Sequence, residues 1–374
     1  MARILFLSSH HGIGAAENLW LETAAHLARA GHEVRAAVCW LKWEPARVQE
    51  LVSLGVPVMR IAQSWRFNRW LRPLLKGGKA ETGMAQQLAG GSWKPDQVLV
   101  SQGNDHSCLP WLKALQEAGI STSVVTHGII SSDWPKDGLA ERLAPVFTNA
   151  ARTFWVSERN QTDFEDQIGT VLNNALVVRN PVKVNREAPF TWPASDSPLR
   201  MACVARMQTR PKGHDLLIQA FADPVWGQRD LHLSFFGDGE NRHGMERLAK
   251  KLGISSRVHF KGHVNSVEDI WLDHHLIAQP SRNEGMPLSL VEALFCGRPA
   301  LATDIAGHAE LITEGENGFL AEAPTARHIG EALERAWNQR GQWQSMGRMA
   351  YDRIRRDVPE NPIAEFAQQL LALT

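Results

Sequence analysis

Two glutamates, Glu284 and Glu292, lie on either side of a predicted helix start in the run Glu-Gly-Met-Pro-Leu-Ser-Leu-Val-Glu. The apolar residues 286–295 predict a buried helix with Pro287 at its first position, where a missing N–H costs nothing. Glu284 then lies in the loop before the helix, and Glu292 lies inside it. A helix start offers N–H groups and a positive dipole end, which suit a phosphate. Carboxylates beside it suit hydroxyl donors, so the segment predicts a nucleotide sugar as ligand.

Two cations, Arg206 and Lys212, follow the first strand predicted for the second half of the chain. Arg206 is predicted at the carboxyl end of that strand, and Lys212 at or near the start of the next helix. A planar guanidinium and an ammonium point charge held together could neutralise a diphosphate. Alone, this segment would indicate a solvated basic loop. Beside the glutamate segment, it is interpreted as part of the same site.

Glycines end several predicted strands, where they could let a flat base lie against the backbone. Gly237 and Gly239 follow one strand, and His263 follows the next strand and a glycine. Simple turn chemistry is the alternative explanation for all three positions.

Gly14 belongs to residues 12–17, Gly-Ile-Gly-Ala-Ala-Glu, which look like a degraded dinucleotide-binding fingerprint. The NAD interpretation expects an acid about 20 residues further on. The chain has Val-Cys-Trp-Leu-Lys at 38–42, without an acid. A turn that brings backbone close to a phosphate or sugar is therefore favoured over NAD, with a plain tight turn as the alternative.

His127 ends another predicted strand and precedes a glycine. Contact with substrate and a purely structural role are both open for this side chain, and His10 and His11 have the same location after the first strand. Histidines do not occur here with an acid at the helical spacing of a metal site, so we predict no metal.

Residues 51–80 contain no acid, although the chain as a whole has a net charge of +0. Basic residues interleave there with aromatic and aliphatic ones, which is typical of an interfacial segment that binds anionic lipid. An acceptor site for an anionic glycan and an ordinary solvated face are the alternatives. The patch residues are Arg66, Arg69, Arg72 and Lys76.

The length of 374 residues indicates about two domains. Zero net charge argues against a general attraction to nucleic acid. Four scattered cysteines indicate a reducing compartment rather than a disulfide framework. The N-terminus is interpreted as a first strand and not as a signal peptide, and no apolar stretch is long enough to span a bilayer. We expect a cytoplasmic protein, soluble or peripheral on the inner face of the plasma membrane.

Short apolar runs alternate with helical patterns, which predicts an α/β protein with parallel sheets covered by helices. The predicted strands are 4–8, 33–39, 57–61, 97–101, 122–126, 153–156, 176–178, 200–204, 232–236, 258–261, 276–279 and 300–302. Predicted helices include 17–30, 105–118 and 364–373. The proline-containing segment 183–198 is interpreted as a linker.

In their order along the chain, these motifs resemble glycosyltransferase family 4, whose members are retaining enzymes of the GT-B fold. The resemblance rests on residues 14–17, on Arg206 with Lys212 and Gly213, and on segments 236–239, 284–292 and 307–310. It is close over about 200–320 and sparse in the first half, at 126–128 and 156–158. It implies two Rossmann-like doubly wound domains facing a central cleft, with a C-terminal helix packing back on the first domain.

The resemblance also implies the domains and their roles. Residues 1–182 would form the acceptor-binding domain, 183–198 the linker, 199–355 the donor-binding domain and 356–374 the returning helix. The chain departs from the common Gly-Gly-x-Glu start by having Gly-Ala-Ala-Glu at 14–17, and an alanine there still allows a close approach.

Roles for single residues are carried over by position. Arg206 and Lys212 resemble the pair that binds the donor diphosphate, and Glu284 the glutamate near the donor sugar. Glu292 resembles the residue on the ribose hydroxyls, and His127 the histidine beside the transferred sugar. The remaining donor-binding positions are Gly14, Gly237, Gly239, His263, Gly285, Met286, Pro287 and Leu288.

The predicted function is retaining, metal-independent transfer of a sugar from a nucleoside diphosphate sugar to a hydroxyl of a glycan or lipid-linked acceptor. Bacterial envelope polysaccharide or lipopolysaccharide is the expected acceptor, no cofactor is expected, and nucleic acid is not expected as a partner. A nucleotide-sugar 2-epimerase is the alternative enzyme. A catalytically inactive, membrane-associated nucleotide-sugar-binding protein is the second alternative.

Overall fold

The computed structural model describes residues 1–10, 14, 17–39, 45–61, 79–194 and 198–374. The chain divides into two compact units. One comprises Met1–Pro181 and Asn361–Thr374, and the other comprises Val182–Glu360. Among the described residues, no helix combines the length and the apolar character that crossing a bilayer requires.

The first half alternates strands and helices, as its apolar runs predict. Its strands are β1 Arg3–Ser8, β2 Glu33–Val38, β3 Val58–Arg60, β4 Gln97–Gln102, β5 Thr122–Thr126, β6 Arg152–Trp155 and β7 Ala175–Val177. Its helices are α1 Glu17–Arg29, α2 Pro45–Ser53, α3 Lys79–Gly90, α4 Leu109–Glu117, α5 Asp137–Thr148 and α6 Glu158–Ile168. All strand pairs are parallel, and the described strands pair in the order β3-β2-β1-β4-β5-β6-β7.

The second half repeats this architecture. Its strands are β8 Leu199–Val204, β9 Leu231–Phe236, β10 Val258–Gly262, β11 Leu276–Gln279, β12 Ala300–Thr303 and β13 Gly318–Ala321. Its helices are α7 Thr209–Lys212, α8 His214–Phe221, α9 Arg242–Lys251, α10 Leu288–Phe295, α11 His308–Leu311, α12 Ala326–Asn338, α13 Trp343–Asp357 and α14 Pro362–Leu371. Short 3-10 helices cover Pro224–Gln228, Glu268–Leu272 and Arg340–Gln342. These strands are parallel in the order β10-β9-β8-β11-β12-β13.

Both sheets reverse their strand order at an equivalent point, between β1 and β4 in the first unit and between β8 and β11 in the second. This is the doubly wound arrangement, in which ligands bind beyond the carboxyl ends of the strands at the reversal. The predicted α/β class with two doubly wound parallel sheets is therefore confirmed. In the second unit, a ligand is therefore expected next to the loops after β8 and β11.

The C-terminal helix α14 packs in the first unit, as predicted. Phe366, Ala367 and Leu370 are buried in the same apolar core as Trp20 of α1. The ring of Phe366 meets that of Phe154 edge-on, with 4.9 Å between the centroids. Asn361 caps the helix by accepting the Ala364 N–H at 2.9 Å.

The segment interpreted as a linker is packed within the second unit over its described part. The Phe190 and Trp192 rings stack with 6.4 Å between centroids. The Tyr351 hydroxyl of α13 donates to the Ala188 carbonyl at 2.9 Å. Prolines hide periodicity in this segment, but its aromatic side chains anchor it to the core.

Several element bounds differ from the sequence prediction by a residue or more, and the differences at α10, α4 and β13 change the interpretation. Helix α10 begins at Leu288, and Pro287 precedes it with an extended backbone (φ −73°, ψ 111°), so the predictions that Met286 is helical and Pro287 occupies the first helical position are wrong. Pro287 is instead the N-cap residue, and its carbonyl accepts the first hydrogen bonds of the helix, from the N–H groups of Leu290 and Val291. Helix α4 begins later than predicted because His106 has a φ of +54°. Strand β13 is absent from the prediction.

Candidate functional site

The ion pair between Lys212 and Glu284 lies where the second sheet reverses. Lys212 ends α7 in the loop after β8, and Glu284 lies in the loop after β11. The Lys212 Nζ donates to both Glu284 carboxylate oxygens, at 2.7 and 2.9 Å. The Glu284 side chain is only 7% exposed, and a charge so buried needs a partner. Two residues predicted separately to serve one site are thus in direct contact.

A chain of hydrogen bonds fixes the orientation of the Glu284 carboxylate. The Ser281 Oγ donates to Glu284 Oε1 at 2.7 Å. The Ser281 carbonyl accepts the Thr303 hydroxyl at 2.6 Å, and the Thr303 carbonyl accepts Nδ1–H of the buried His308 at 2.7 Å. Burial lowers the pKa of His308, so the ring is neutral at neutral pH. Glu284 is therefore held by a chain of hydrogen bonds that runs from His308, at the start of α11, through Thr303 and Ser281.

Gly213 lets the two loops of this ion pair approach each other. Its φ is +66°, and a Cβ at this position would lie 1.9 Å from the Pro280 carbonyl oxygen. No side chain fits at that distance, and the left-handed backbone is itself unfavourable for other residues. The glycine after Lys212 is thus required for contact between the loops after β8 and β11.

Arg206 is exposed on the loop after β8, and its carbonyl accepts the Gln208 N–H at 2.6 Å. The structure places this guanidinium on the same loop as Lys212, as predicted. Lys212 itself ends the one-turn helix α7, one residue before Gly213 and α8, which agrees with its predicted position near a helix start.

Gly237 and Gly239 serve the packing of backbone against backbone. A Cβ on Gly237 would lie 2.3 Å from the Ala205 carbonyl oxygen, and one on Gly239 would lie 2.5 Å from that of Met207. The Met207 N–H donates to the Asp238 carbonyl at 3.0 Å. These two glycines therefore allow the loops after β8 and β9 to pack backbone against backbone. This role differs from both roles considered from the sequence, turn chemistry and contact with a base.

His263 is exposed after β10, and its N–H donates to Asp238 Oδ2 at 3.1 Å. The hydrogen bond that Arg242 donates lowers the pKa of Asp238 most; burial opposes it, and the bond from the His263 N–H lowers the pKa further. The loops after β9 and β10 are thus joined through one ionised carboxylate.

The loop before α10 is packed against the loop after β12. The Gly285 carbonyl accepts the Gly307 N–H at 3.1 Å. A Cβ on Gly307 would lie 2.6 Å from the Met286 Cε. Gly285, Met286 and Pro287 therefore occupy a loop of defined shape, and Leu288 opens the helix that follows.

Glu292 is buried inside α10 and differs electrostatically from Glu284. Burial raises the pKa of the Glu292 carboxyl to about 7, against the lowering effect of the Lys183 backbone N–H that it accepts. Both the protonated and the ionised form of Glu292 are then populated near neutral pH. Glu292 can both donate and accept hydrogen bonds there, whereas the ion-paired Glu284 only accepts.

In the first unit, Gly14 lies just before α1. Its carbonyl accepts the Glu17 N–H at 3.2 Å and the Arg47 guanidinium at 3.3 Å. Arg47 also donates to Asn18 at 2.7 Å. Sequence reasoning did not single out Arg47, since nothing local connects α2 with this turn. Glu17 is buried, where its carboxylate accepts the Ser8 hydroxyl and the Trp20 indole N–H.

His127 lies at the carboxyl end of β5, with its N–H donating to the Gln102 carbonyl at 3.1 Å. Both ring nitrogens are buried and have no partner among the described residues. Burial, and secondarily the nearby His10, lower the pKa of His127 to about 3, so the imidazole is neutral. The His10 ring lies against Gly103, where a Cβ would be 2.9 Å from Nδ1. The carboxyl edge of the first sheet thus carries a neutral imidazole with a second histidine nearby.

The basic patch of Arg66, Arg69, Arg72 and Lys76 lies outside the described residues, and so does His11. Binding of lipid or of an anionic glycan by this patch therefore stays a prediction. Across the described ranges, no three His, Cys, Asp or Glu side chains are grouped as a metal site would need.

His214 should make the second unit acid-sensitive. Its side chain is fully buried with both ring nitrogens unpartnered among the described residues, and burial lowers its pKa from 6.5 to about 4. Unfolding lets the ring bind a proton, so stability should fall by up to about 3 kcal/mol as pH drops from 6.5 to 4. His214→Phe should remove this acid loss and add about 1–3 kcal/mol at pH 7.5, because no polar atom is then buried without a partner.

Urea unfolding at pH 7.5 and pH 5 measures both effects. His243→Phe is the matched control, since the His243 side chain is 84% exposed. Equal acid sensitivity in wild type and His214→Phe would contradict the assignment.

Two family models match the chain. The model described as glycosyl transferases group 1 matches residues 184–353, and the model described as glycosyl transferase 4-like domain matches residues 14–181.

Curated relatives match over shorter lengths. The putative glycosyltransferase EpsD of Bacillus subtilis is 32% identical over 29% of this chain and 29% of its own length. The lipopolysaccharide glucosyltransferase WaaG of Escherichia coli is 32% identical over 34% of each chain. An uncharacterized glycosyltransferase of Haemophilus influenzae is 31% identical over 50% of this chain and 52% of its own. The chain thus spans at most about half the length of these relatives.

Solved structures share the fold over the whole chain. The crystal structure of Anabaena HepE with UDP-glucose has a TM-score of 0.76 at 18% identity and covers 100% of both chains. The apo form of the lipopolysaccharide outer core galactosyltransferase WaaB has a TM-score of 0.74 at 19% identity, also over 100% of both chains. At these identities the likeness concerns the fold, and it agrees with the predicted fold class.

Proposed function

We propose that this chain, which belongs to the group 1 glycosyltransferases, transfers a sugar from a nucleoside diphosphate sugar to an acceptor hydroxyl with retention of configuration. The proposal rests above all on the ion pair of Lys212 and Glu284 at the reversal of the second sheet. An ammonium and a carboxylate side by side offer one group to a phosphate and one to a sugar hydroxyl. The second unit would then bind the donor, and the first unit the acceptor.

The donor diphosphate would bind to Lys212, Arg206 and the start of α10. As the glycosidic bond breaks, negative charge accumulates on the leaving diphosphate. Cations and helix N–H groups held in advance at that position stabilise the transition state more than the ground state. Glu284, held by Ser281 and Lys212, would accept a hydroxyl of the transferred sugar.

The ribose would lie next to Glu292. A carboxyl that titrates near pH 7 is charged or neutral at little cost, and a bound diol that donates to it would favour the charged form. In the first unit, the neutral His127 would accept or donate a hydrogen bond without adding charge near the sugar.

For the chemical step, the acceptor oxygen attacks the anomeric carbon on the face from which the diphosphate leaves. The bond from that carbon to the phosphate oxygen breaks, and its electron pair departs with the diphosphate. The acceptor proton passes to the departing phosphate oxygen. We propose that no metal or cofactor is needed, since Lys212, Arg206 and the helix start would supply the charge that a metal would otherwise supply. Full turnover in excess chelator is the corresponding expectation.

A UDP-hexose is the donor to test first, because HepE was crystallised with UDP and UDP-glucose. An envelope glycan is the acceptor class to test first, because WaaG and the core biosynthesis enzyme LpsE of Rhizobium meliloti act in lipopolysaccharide synthesis. Such acceptors are assembled at membranes, so we propose that the protein works at the inner face of the plasma membrane. The basic segment that includes Arg66 and Arg69 would supply that contact.

UDP should raise the melting temperature of the second unit. A ligand at about 100 times its Kd stabilises the native state by about 2.7 kcal/mol, which corresponds to roughly 5–10 °C for a unit of this size. A thermal-shift screen of nucleoside diphosphates and their hexoses measures this effect and identifies the base. Absence of any shift, with no binding by calorimetry, would contradict the donor site.

Product analysis then separates the alternative functions. Incubation with donor alone tests for a 2-epimerase, which would change the sugar without an acceptor. Incubation with donor and a lipopolysaccharide core acceptor should release UDP, and NMR of the new linkage should show the donor's anomeric configuration. A donor that binds without either reaction would favour the inactive binding protein.

A further inference from the structure

Arg282 lies two residues before Glu284, in the loop after β11. Its guanidinium donates to protein groups. The Arg282 Nη1 and Nη2 atoms donate to the two Asp215 carboxylate oxygens at 2.8 and 2.7 Å. Nη1 also donates to the Thr209 carbonyl at 2.8 Å. The planar fork of Arg282 thus faces α7 and α8.

The main chain around Arg282 makes the same connection. The N–H groups of Arg282 and Asn283 both donate to the Pro211 carbonyl, at 2.7 and 3.1 Å. Thr209 and Pro211 precede Lys212, and Asp215 follows it. Arg282, which lies close to Glu284 in the chain, therefore contacts the segment around Lys212 both before and after that lysine.

The charges of this pair reinforce its geometry. The Asp215 and Arg282 side chains are 24% and 31% exposed, so the pair is partly shielded from water. Burial is the largest single effect and raises the pKa of Asp215, but the hydrogen bonds and the charge of Arg282, together with two backbone N–H groups, hold that pKa below its usual range. Asp215 remains ionised, and a bidentate pair fixes both distance and angle between its partners.

We propose that Arg282 is a positioning residue, and that the Arg282–Asp215 clamp sets the separation between Lys212 and Glu284. The catalytic consequence rests on the proposed function, because Lys212 and Glu284 are there the donor-binding pair. The three side-chain bonds of the clamp all go to protein groups. Without the clamp, the loops after β8 and β11 would keep the Gly213 contact and the backbone bonds to Pro211, but would lose the three side-chain bonds to Thr209 and Asp215 that flank Lys212.

The primary variant is Arg282→Lys, which keeps the charge but cannot form the bidentate pair. The matched control is Arg229→Lys, because Arg229 forms an equivalent bidentate pair with Glu334 in the same unit, at 2.5 and 2.8 Å. Both variants should lower the melting temperature to a similar degree. Only Arg282→Lys should lower kcat/KM, by about 100-fold, the scale expected for a misplacement near 1 Å.

Backbone hydrogen exchange measures the clamp without any ligand. In Arg282→Lys, peptides covering 205–213 and 280–287 should exchange faster than in wild type, whereas in Arg229→Lys they should be unchanged.

Chemical rescue adds a second measure. Guanidinium ion, well below denaturing concentration, should restore UDP affinity to Arg282→Ala but not to Arg282→Ala/Asp215→Ala, which lacks the anion that holds it.

The outcomes distinguish this inference from the proposed function. If Arg282→Lys binds UDP as tightly as wild type and its exchange is unchanged, the clamp is wrong while the donor site stands. If wild type binds no nucleoside diphosphate, the proposed function fails. The difference in hydrogen exchange between wild type and Arg282→Lys then decides by itself whether Arg282 orders the two loops. Equal activity losses in Arg282→Lys and Arg229→Lys would reduce Arg282 to a general stability role and overturn the inference.

Discussion

Gly213→Ala should cost the second unit roughly 4 kcal/mol or more of unfolding free energy, because the new methyl group meets backbone rather than a movable side chain. Its Cβ would lie 1.9 Å from the Pro280 carbonyl oxygen, and the left-handed φ of +66° adds strain. The loops after β8 and β11 must separate to relieve the contact. We therefore also expect loss of UDP binding. Urea unfolding and calorimetry measure the two effects.

Gly253→Ala provides the control for Gly213→Ala. Gly253 has a similar φ of +72°, but a Cβ there would meet nothing within 4 Å. Its alanine variant should lose only the backbone term, about 1–2 kcal/mol, and should bind UDP normally. Similar losses in the two variants would mean that the chain relaxes around Pro280 at little cost.

Lys212→Ala should lower kcat/KM by ~100-fold, equivalent to about 3 kcal/mol of lost transition-state stabilisation. It should also destabilise the second unit by about 3–5 kcal/mol, because Glu284 would remain buried without its partner. Steady-state kinetics with the donor found by the screen and urea unfolding measure these losses. Near wild-type turnover would contradict the assignment of Lys212 to the diphosphate.

The double variant Lys212→Ala/Glu284→Ala separates the two effects of Lys212. With both charges gone, most of the lost stability should return, while activity should stay low because neither the diphosphate nor the sugar has its partner. Lys250→Ala, an exposed position at the end of α9, is the control for removing a lysine. Activity that recovers together with stability would mean that the ion pair is structural only.

The sheets and the two loops that carry the candidate site could be predicted from the sequence because both depend on local patterns. Apolar runs identify parallel strands, and the rule that ligands lie beyond their carboxyl ends located Arg206, Lys212 and Glu284 in advance. These rules predict at which edge of the sheet the site lies. They do not predict which side chains touch each other there, because those contacts depend on three-dimensional packing.

What the sequence could not show are features that depend on distant neighbours. Gly213 and Gly237 are visible as glycines, but their reasons are the carbonyl groups of Pro280 and Ala205. The Arg282 guanidinium pairs with Asp215 because α8 begins beside it in the folded chain. Local patterns also misplaced the start of α10, since proline is favoured at the first helical position but Pro287 precedes the helix with an extended backbone.

Helix α14 has a consequence for the order in which the chain is made. The first unit consists of Met1–Pro181 and Asn361–Thr374, and α14 covers part of the core that contains Trp20 and Phe154. A ribosome therefore completes every residue of the second unit before it supplies the last helix of the first. Until then, the apolar face of α1 lacks the cover that Phe366 and Leu370 provide.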